Sequence, residues 1–286
     1  MKISNKRRRT KPVFDKRHEA ERRDFKTNNE TSVPRESEGD KIYGLMPVLE
    51  ALRAGQRAID NIAIAEGAKH DRLRELLDLA RKARVPIHRV PRISLDRSLK
   101  DINHQGVVAR AAAARYEDSD HLLEALSKKV GTGSEPLALV LDGVEDPRNL
   151  GAILRTAECA GIDGVFVPER RAAGLTATVA KAAAGALEYV PVARVTNLVR
   201  LIEQLKERNI WTVGAAAEGT SVYTEWDWTL PTAVFLGGEG SGLHRLTKER
   251  CDALVRIPVR GHLDSLNVSV AAGVLLYEAL RRRGTT

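Results

Sequence analysis

Three stretches of the sequence combine residue types and spacings that could do chemistry. The first runs Asp142-Gly143-Val144-Glu145-Asp146-Pro147-Arg148-Asn149-Leu150-Gly151 and continues to Arg155. Asn149 suits a helix N-cap, and Gly151 permits close backbone approach at the helix start. Arg155, less than two helical turns further on, could grip a phosphate through two parallel hydrogen bonds. A surface pair with Glu158 or Asp146 would occupy the same side chain without any chemistry. The second stretch is Phe235-Leu236-Gly237-Gly238-Glu239-Gly240-Ser241-Gly242-Leu243. Four glycines within six residues give a loop whose backbone amides can reach a ligand, and Glu239 is its only charge. It lacks the Gly-Lys-Ser/Thr ending of a P-loop and the third glycine of a dinucleotide fingerprint. Taken alone, it also fits a flexible turn. The third stretch sends Ser265, Asn267 and Ser269 into an otherwise apolar helix after Leu263-Asp264. Ser265 or Asn267 can cap that helix, but buried polar groups need partners, so the cluster points to a ligand or to other side chains.

These stretches must be held by regular elements. From Leu137 the pattern alternates strand and helix: strands at Leu137–Val144, Gly164–Val167, Val190–Val195, Trp211–Ala215, Ala233–Leu236 and Leu254–Val259. Helices are expected at Asn149–Ala160, Thr178–Leu187, Asn197–Arg208 and Asn267–Arg283. That rhythm predicts an α/β fold with a mostly parallel sheet covered by helices on both faces, with ligands beyond the carboxyl ends of the strands. Upstream, a helix at Pro47–Arg53 stopped by Gly55, strands at Asn61–Ala65, Pro86–Val90 and Gly106–Ala111, and a helix at Asp71–Arg84 make a small N-terminal α/β domain. The chain thus divides into a tail (1–40), a small domain (41–111), a linker (112–134) with a short helix at His121–Leu126, and a large domain (135–286).

With 286 residues, two domains are the natural expectation. Lys and Arg number 46 against 38 Asp and Glu, a net charge of +8 that favours a polyanionic partner such as nucleic acid. The tail alone carries 12 basic and 8 acidic residues, half of that surplus, and its polar composition predicts disorder. It reads equally as an electrostatic tether near RNA phosphates or as a solvated end without a role. Two cysteines cannot staple such a chain and fit a reducing, cytoplasmic setting. No apolar run nears the ~20 residues of a membrane span. Seven scattered histidines give no metal-ligand spacing, so no metal is expected.

Taken in order, the three stretches resemble the motifs of the SpoU branch of the knotted RNA methyltransferases. Asn149-x-Gly151-x-x-x-Arg155 is similar to its first motif, Leu236–Gly242 to its second, and Ser265-Leu266-Asn267-Val268-Ser269 to its third. Ile42-Tyr43-Gly44 and His104-Gln105-Gly106-Val107 extend the resemblance over the small domain, toward the bacterial enzymes that methylate a guanosine 2′-hydroxyl in the peptidyl-tRNA loop of 23S rRNA. The resemblance implies a C-terminal trefoil knot, a homodimer, and S-adenosylmethionine held by backbone groups of Gly237, Ile257 and Leu266. It implies an rRNA substrate, free or in an assembling large subunit, presented by the small domain.

The same resemblance makes Arg155 the catalytic residue, with Asn149, Glu239, Asn267 and Ser269 around it. A guanidinium is effectively always protonated, which suits Arg155 to orienting a phosphate and stabilising a developing alkoxide rather than accepting the proton. Many relatives carry Asn where this chain has Gly238, a departure that weighs against tRNA. The alternatives are a tRNA ribose 2′-O-methyltransferase and a non-catalytic RNA-binding assembly factor of the same fold.

Overall fold

A computed structural model describes residues 41–69, 71–99 and 102–284; the tail expectation lies outside them. The first sheet is built from β1 (Lys41–Tyr43), β2 (Ile59–Ala65), β3 (Ile87–Val90) and β4 (Val107–Ala111), ordered β1-β4-β2-β3. Only the β2–β3 pair is parallel. Helices α1 (Leu45–Ala54) and α2 (Leu73–Lys82) bury Val48, Leu49 and Leu76 against Ile42, Ile62 and Ile64. Helix α1 begins two residues before the expected Pro47, which falls in its first turn, where a missing N–H costs nothing. Gly55 ends it in the left-handed conformation, as expected. Helix α3 (Arg92–Ser98) had no periodic signal and was not expected.

The two segments that carried the small-domain resemblance are in contact. Gln105 Oε1 accepts the Leu45 amide at 3.3 Å, and Gly44 N–H donates to the Val107 carbonyl at 2.9 Å. His104 is buried, accepting from Gly106 N–H on Nδ1 at 3.0 Å, which leaves Nε2 to donate to Asp96 at 2.9 Å.

Residues 112–134 do more than connect. Helix α4 (Ser119–Ser127), capped by Asp118, buries Leu122, Leu123 and Leu126 against the second sheet. That sheet holds β5 (Leu137–Asp142), β6 (Gly164–Pro168), β7 (Val192–Val195), β8 (Trp211–Ala215), β9 (Ser221–Val222), β10 (Thr232–Gly237) and β11 (Ala253–Arg256). All its pairs are parallel, in the order β7-β6-β5-β10-β8-β11-β9. Side chains alternate between two covered faces. Leu139, Leu141, Val234 and Leu236 meet α5 (Pro147–Cys159), α6 (Ala177–Ala182) and α9 (Val268–Arg282). Val140, Phe166 and Phe235 meet α4 and α7 (Leu198–Glu207). Between β10 and β11 lies the short α8 (Arg245–Arg250), which was not expected.

Two expected boundaries differ for clear reasons. The alanine-rich helix expected at Thr178–Leu187 stops at Ala182 and resumes as a 3-10 turn at Ala186–Glu188. Between them Gly185 has φ +104°, and a Cβ there would stand 2.5 Å from the Glu50 side chain of α1. The last strand ends at Arg256, leaving Ile257–Asn267 as a loop that opens onto α9.

Arg283, the C-cap of α9, ties that helix to the amino-terminal edge of the sheet. Its guanidinium donates to the carbonyls of Trp228, Glu135, Pro136 and Leu230 at 2.5–3.2 Å. Burial lowers its pKa from the usual value. Arg283→Ala would leave these carbonyls to water; denaturant unfolding should give a stability loss of about 2–4 kcal/mol.

Candidate active site

The carboxyl ends of β5, β10, β8 and β11 are neighbours, so the loops that follow them share one end of the sheet. After β5, Gly143 turns the chain with φ +86°. Asp146 caps α5, accepting the Arg148 amide at 2.8 Å, and Pro147 occupies the first helical position. This corrects the expected cap at Asn149. Because Asp146 takes that task, Asn149 sits buried in the first turn with its amide free for another partner.

That partner comes from the glycine loop. Glu239 Oε1 accepts from Asn149 Nδ2 at 2.5 Å and from Asn267 Nδ2 at 2.8 Å. Asn267 also donates to Asn149 Oδ1 at 3.1 Å. With its own Oδ1 it accepts the amide and hydroxyl of Ser269, at 2.9 and 2.5 Å, and so caps α9. Four of the expected residues, Asn149, Glu239, Asn267 and Ser269, thus form one hydrogen-bonded cluster drawn from all three stretches. Ser265 stands outside this cluster and, among the described residues, bonds its neighbour Asp264.

Arg155 does not join them. It is exposed on α5 and makes no hydrogen bond or ion pair among the described residues, so neither surface pair with Glu158 or Asp146 forms. Its position, about a third of a turn round the helix from Asn149, turns it from the cluster.

The glycine loop is a tightly closed turn: Gly242 N–H donates to the Gly238 carbonyl at 3.1 Å, and Gly238 N–H to the Asp142 carbonyl at 2.8 Å. A Cβ on Gly238 would stand 2.0 Å from the Gly143 carbonyl oxygen, and one on Gly237 only 1.9 Å from the Gly242 carbonyl carbon. Close backbone contact therefore explains glycine at 238.

Two cavities open here. The larger, about 520 Å³, brings the expected cofactor contacts Gly237, Ile257 and Leu266 into one lining, which also includes Glu218, Lys248 and Asp264. Lys248 hydrogen-bonds Glu218 at 2.6 Å and holds its carboxyl below the usual range. The smaller, about 330 Å³, is lined by Asn149, Glu145, Asp146, Arg171, Glu239 and His244. Both cavities share Glu239, Ser241 and Val268. Sequence reasoning missed Glu218, Arg171, His244 and the buried Asp142; the one available signal was a histidine directly after the glycine loop. Asp142 accepts His244 N–H at 3.0 Å and binds its Nδ1 at 2.7 Å. Burial, helped by Asp252, pushes the Cys251 thiol up to about 12, an unreactive state. Cys159 is exposed.

The larger cavity fits S-adenosylmethionine by size and by chemistry. Its apolar side chains and glycine backbone suit an adenosine; its acids Glu218, Glu239 and Asp264 suit the sulfonium and ammonium of the methionine end, and Lys248 suits its carboxylate. Among the described residues no group of three His, Cys, Asp or Glu side chains is arranged to hold a metal, and no helix is long and apolar enough to cross a membrane.

Residues 136–277 match the SpoU rRNA methylase family, and residues 41–117 match the RNA 2′-O ribose methyltransferase substrate-binding family. A Bacillus subtilis protein assigned to the TrmH family of tRNA/rRNA methyltransferases is 44% identical over 244 residues, 85% of this chain and 96% of that protein. A Staphylococcus haemolyticus protein of the same assignment is 42% identical over 242 residues, 85% of this chain and 95% of its own length. Among solved structures, the SpoU methyltransferase AviRb from Streptomyces viridochromogenes, in complex with the cofactor AdoMet, is 26% identical with a TM-score of 0.69, covering 86% of this chain and 91% of that one. An RNA 2′-O ribose methyltransferase is 28% identical, also with a TM-score of 0.69, covering 85% and 88%. The chain therefore belongs to the SpoU/TrmH family of RNA methyltransferases, with S-adenosylmethionine as its cofactor.

Proposed function

We propose that the chain methylates the ribose 2′-hydroxyl of a guanosine in 23S rRNA, free or in an assembling large subunit, as a cytoplasmic homodimer. The observation that carries this reading is the Asn149–Glu239–Asn267 cluster where the two cavities meet. One cavity suits the cofactor; the other, lined by hydrogen-bonding and charged groups, suits a ribose and its phosphate. S-adenosylmethionine supplies the methyl group. Glu239, held by two amides, keeps Asn149 and Asn267 turned toward the shared wall. Arg171 stands in the smaller cavity for a phosphate. The trefoil knot belongs to the same reading, supported by the backbone contacts of Gly237 with Gly242 and of Gly238 with Gly143.

The homodimer is supported by apolar exposure on α9. Val270 and Tyr277, seven residues apart and so on one face, are each 51% exposed. Arg155 is exposed on the neighbouring α5 and is turned from the cluster of its own chain. A second copy docked on α5 and α9 gives that arginine a site to serve, where it would orient the phosphate next to the reacting ribose. Tyr277→Glu should convert a dimer into a monomer of about 31.4 kDa in light scattering; an unchanged mass would place the contact elsewhere.

The resemblance over the small domain, at Ile42-Tyr43-Gly44 and His104-Gln105-Gly106-Val107, favours rRNA, whereas the names of the relatives include tRNA and keep a tRNA ribose as the second reading. An intact polar cluster speaks against a non-catalytic assembly factor. Labelled methyl transfer to a 23S rRNA fragment and to tRNA, with the methyl mapped, should place it on a guanosine 2′-oxygen of the rRNA. Transfer to tRNA alone would select the second reading, and no transfer to either would overturn the enzyme.

In the same assay Arg155→Ala and Glu239→Ala should each lower kcat about 100-fold or more, as loss of a preorganised transition-state group does. Calorimetry of Arg155→Ala should return an unchanged affinity for S-adenosylmethionine.

A further inference from the structure

A ribose hydroxyl must lose its proton as it attacks, and Arg155 is poorly suited to accept it. We propose that His244 is the proton acceptor, oriented by Asp142; this rests on the methyl-transfer reading above.

The geometry carries it. Asp142 is 4% exposed at the end of β5, and its carboxylate accepts the His244 amide on one oxygen and binds the ring on the other. A carboxylate in that environment is an acceptor, so Nδ1 carries the proton and Nε2 keeps its lone pair. His244 is the N-cap residue of α8, yet its side chain makes no capping bond; the ring turns back to Asp142 instead. Nε2 has no protein partner among the described residues, and the ring lines the smaller cavity beside Asn149 and Glu239. A buried acid, an imidazole bonded to it and a ring nitrogen without a protein partner, on a residue that lines the cavity, match the base-and-orienter arrangement of general-base catalysis.

In the step, the 2′-O–H proton passes to Nε2 while the oxygen lone pair forms the new bond to the methyl carbon. The carbon–sulfur bond breaks, its electron pair stays on sulfur, and S-adenosylhomocysteine is released as a neutral thioether. The imidazolium then returns its proton to water. Asp142 from β5 bonds the ring, and the charged residues that line the cavity with it are Glu145 and Asp146 before α5, Arg171 before α6, and Glu239 from the glycine loop. On its own helix, Arg245 and Lys248 are engaged by Glu249 and Glu218.

The test combines three readouts on the full chain. Nitrogen-15 NMR of the cofactor-free protein should show His244 protonated on Nδ1 and bare on Nε2. His244→Ala should lower kcat on RNA about 100-fold or more, with S-adenosylmethionine and RNA affinities unchanged. His244→Asn, whose amide can still bond Asp142, should behave in the same way if the folding of the alanine variant suffers. A kcat within about threefold of wild type in the asparagine variant, or a proton found on Nε2, overturns the proposal. A wild-type protein that transfers no methyl group to any RNA overturns the underlying reading as well, whereas an active wild type with an indifferent His244 overturns only this one.

Discussion

Asp142 can be buried at the end of β5 only because two other segments come to it. Its carbonyl receives the Gly238 amide, and its carboxylate receives both the amide and the ring of His244. Removing such partners from a buried charge costs about 3–5 kcal/mol. The strand end, the glycine loop and the start of α8 therefore form together or not at all. Asn149 lies seven residues beyond Asp142 and Glu239 lies between the two segments that bond it, so the polar cluster inherits its position from this junction.

The junction also sets a steric demand. For β10 to lie beside β5 while its loop returns over β5's end, backbone must touch backbone. At 237 and 238 a side chain would overlap the Gly242–Leu243 peptide and the Gly143 carbonyl. The glycines are there to let two chain segments approach within van der Waals distance, and the cavity beside them is what remains when side chains are left out. The larger cavity is lined in part by the glycines of that loop, Gly237, Gly238, Gly240 and Gly242.

Much of this was legible in the sequence, and what was not has identifiable causes. The alternation of buried strands and amphipathic helices gave the parallel two-face sheet because both periodicities are local. Asn149, Glu239, Asn267 and Ser269 could be picked out by residue type; that one Glu239 oxygen joins two amides from separate motifs is a tertiary fact with no local trace. The cap of α5 was misplaced because Asp146-Pro147 and Asn149 are both good N-terminal signals, and the proline at the first helical position decides between them. Helices α3 and α8 are too short for a period to show. The Asp142–His244 pair spans 102 residues and could not be read from spacing at all.

The break in the alanine-rich segment shows how the two sheets become one unit. Helix propensity favours continuing from Ala182 through Leu187, and the turn at Ala184-Gly185 opposes it. What the turn admits is α1: the Glu50 side chain fills the space over Gly185, and its carboxylate accepts the Tyr189 hydroxyl at 2.9 Å. Burial and that bond to Glu50 push the Tyr189 phenol up to about 12, so it remains a donor throughout the working pH range. Beside it, Arg57 faces Glu188 at 3.4 Å, both side chains nearly buried, with Arg57 Nε and Glu188 Oε2 left without hydrogen bonds. A pair satisfied so incompletely is a poor source of stability. Its consequence is positional: the segment that follows α1 can dock in few ways that leave neither charge alone. The small sheet is thereby held at a defined place on α6, the helix that packs on α5 and hence on Asn149. In the proposed reaction, a substrate held by the first sheet meets the cluster through this docking, so the unfavourable pair between the sheets is spent on aim.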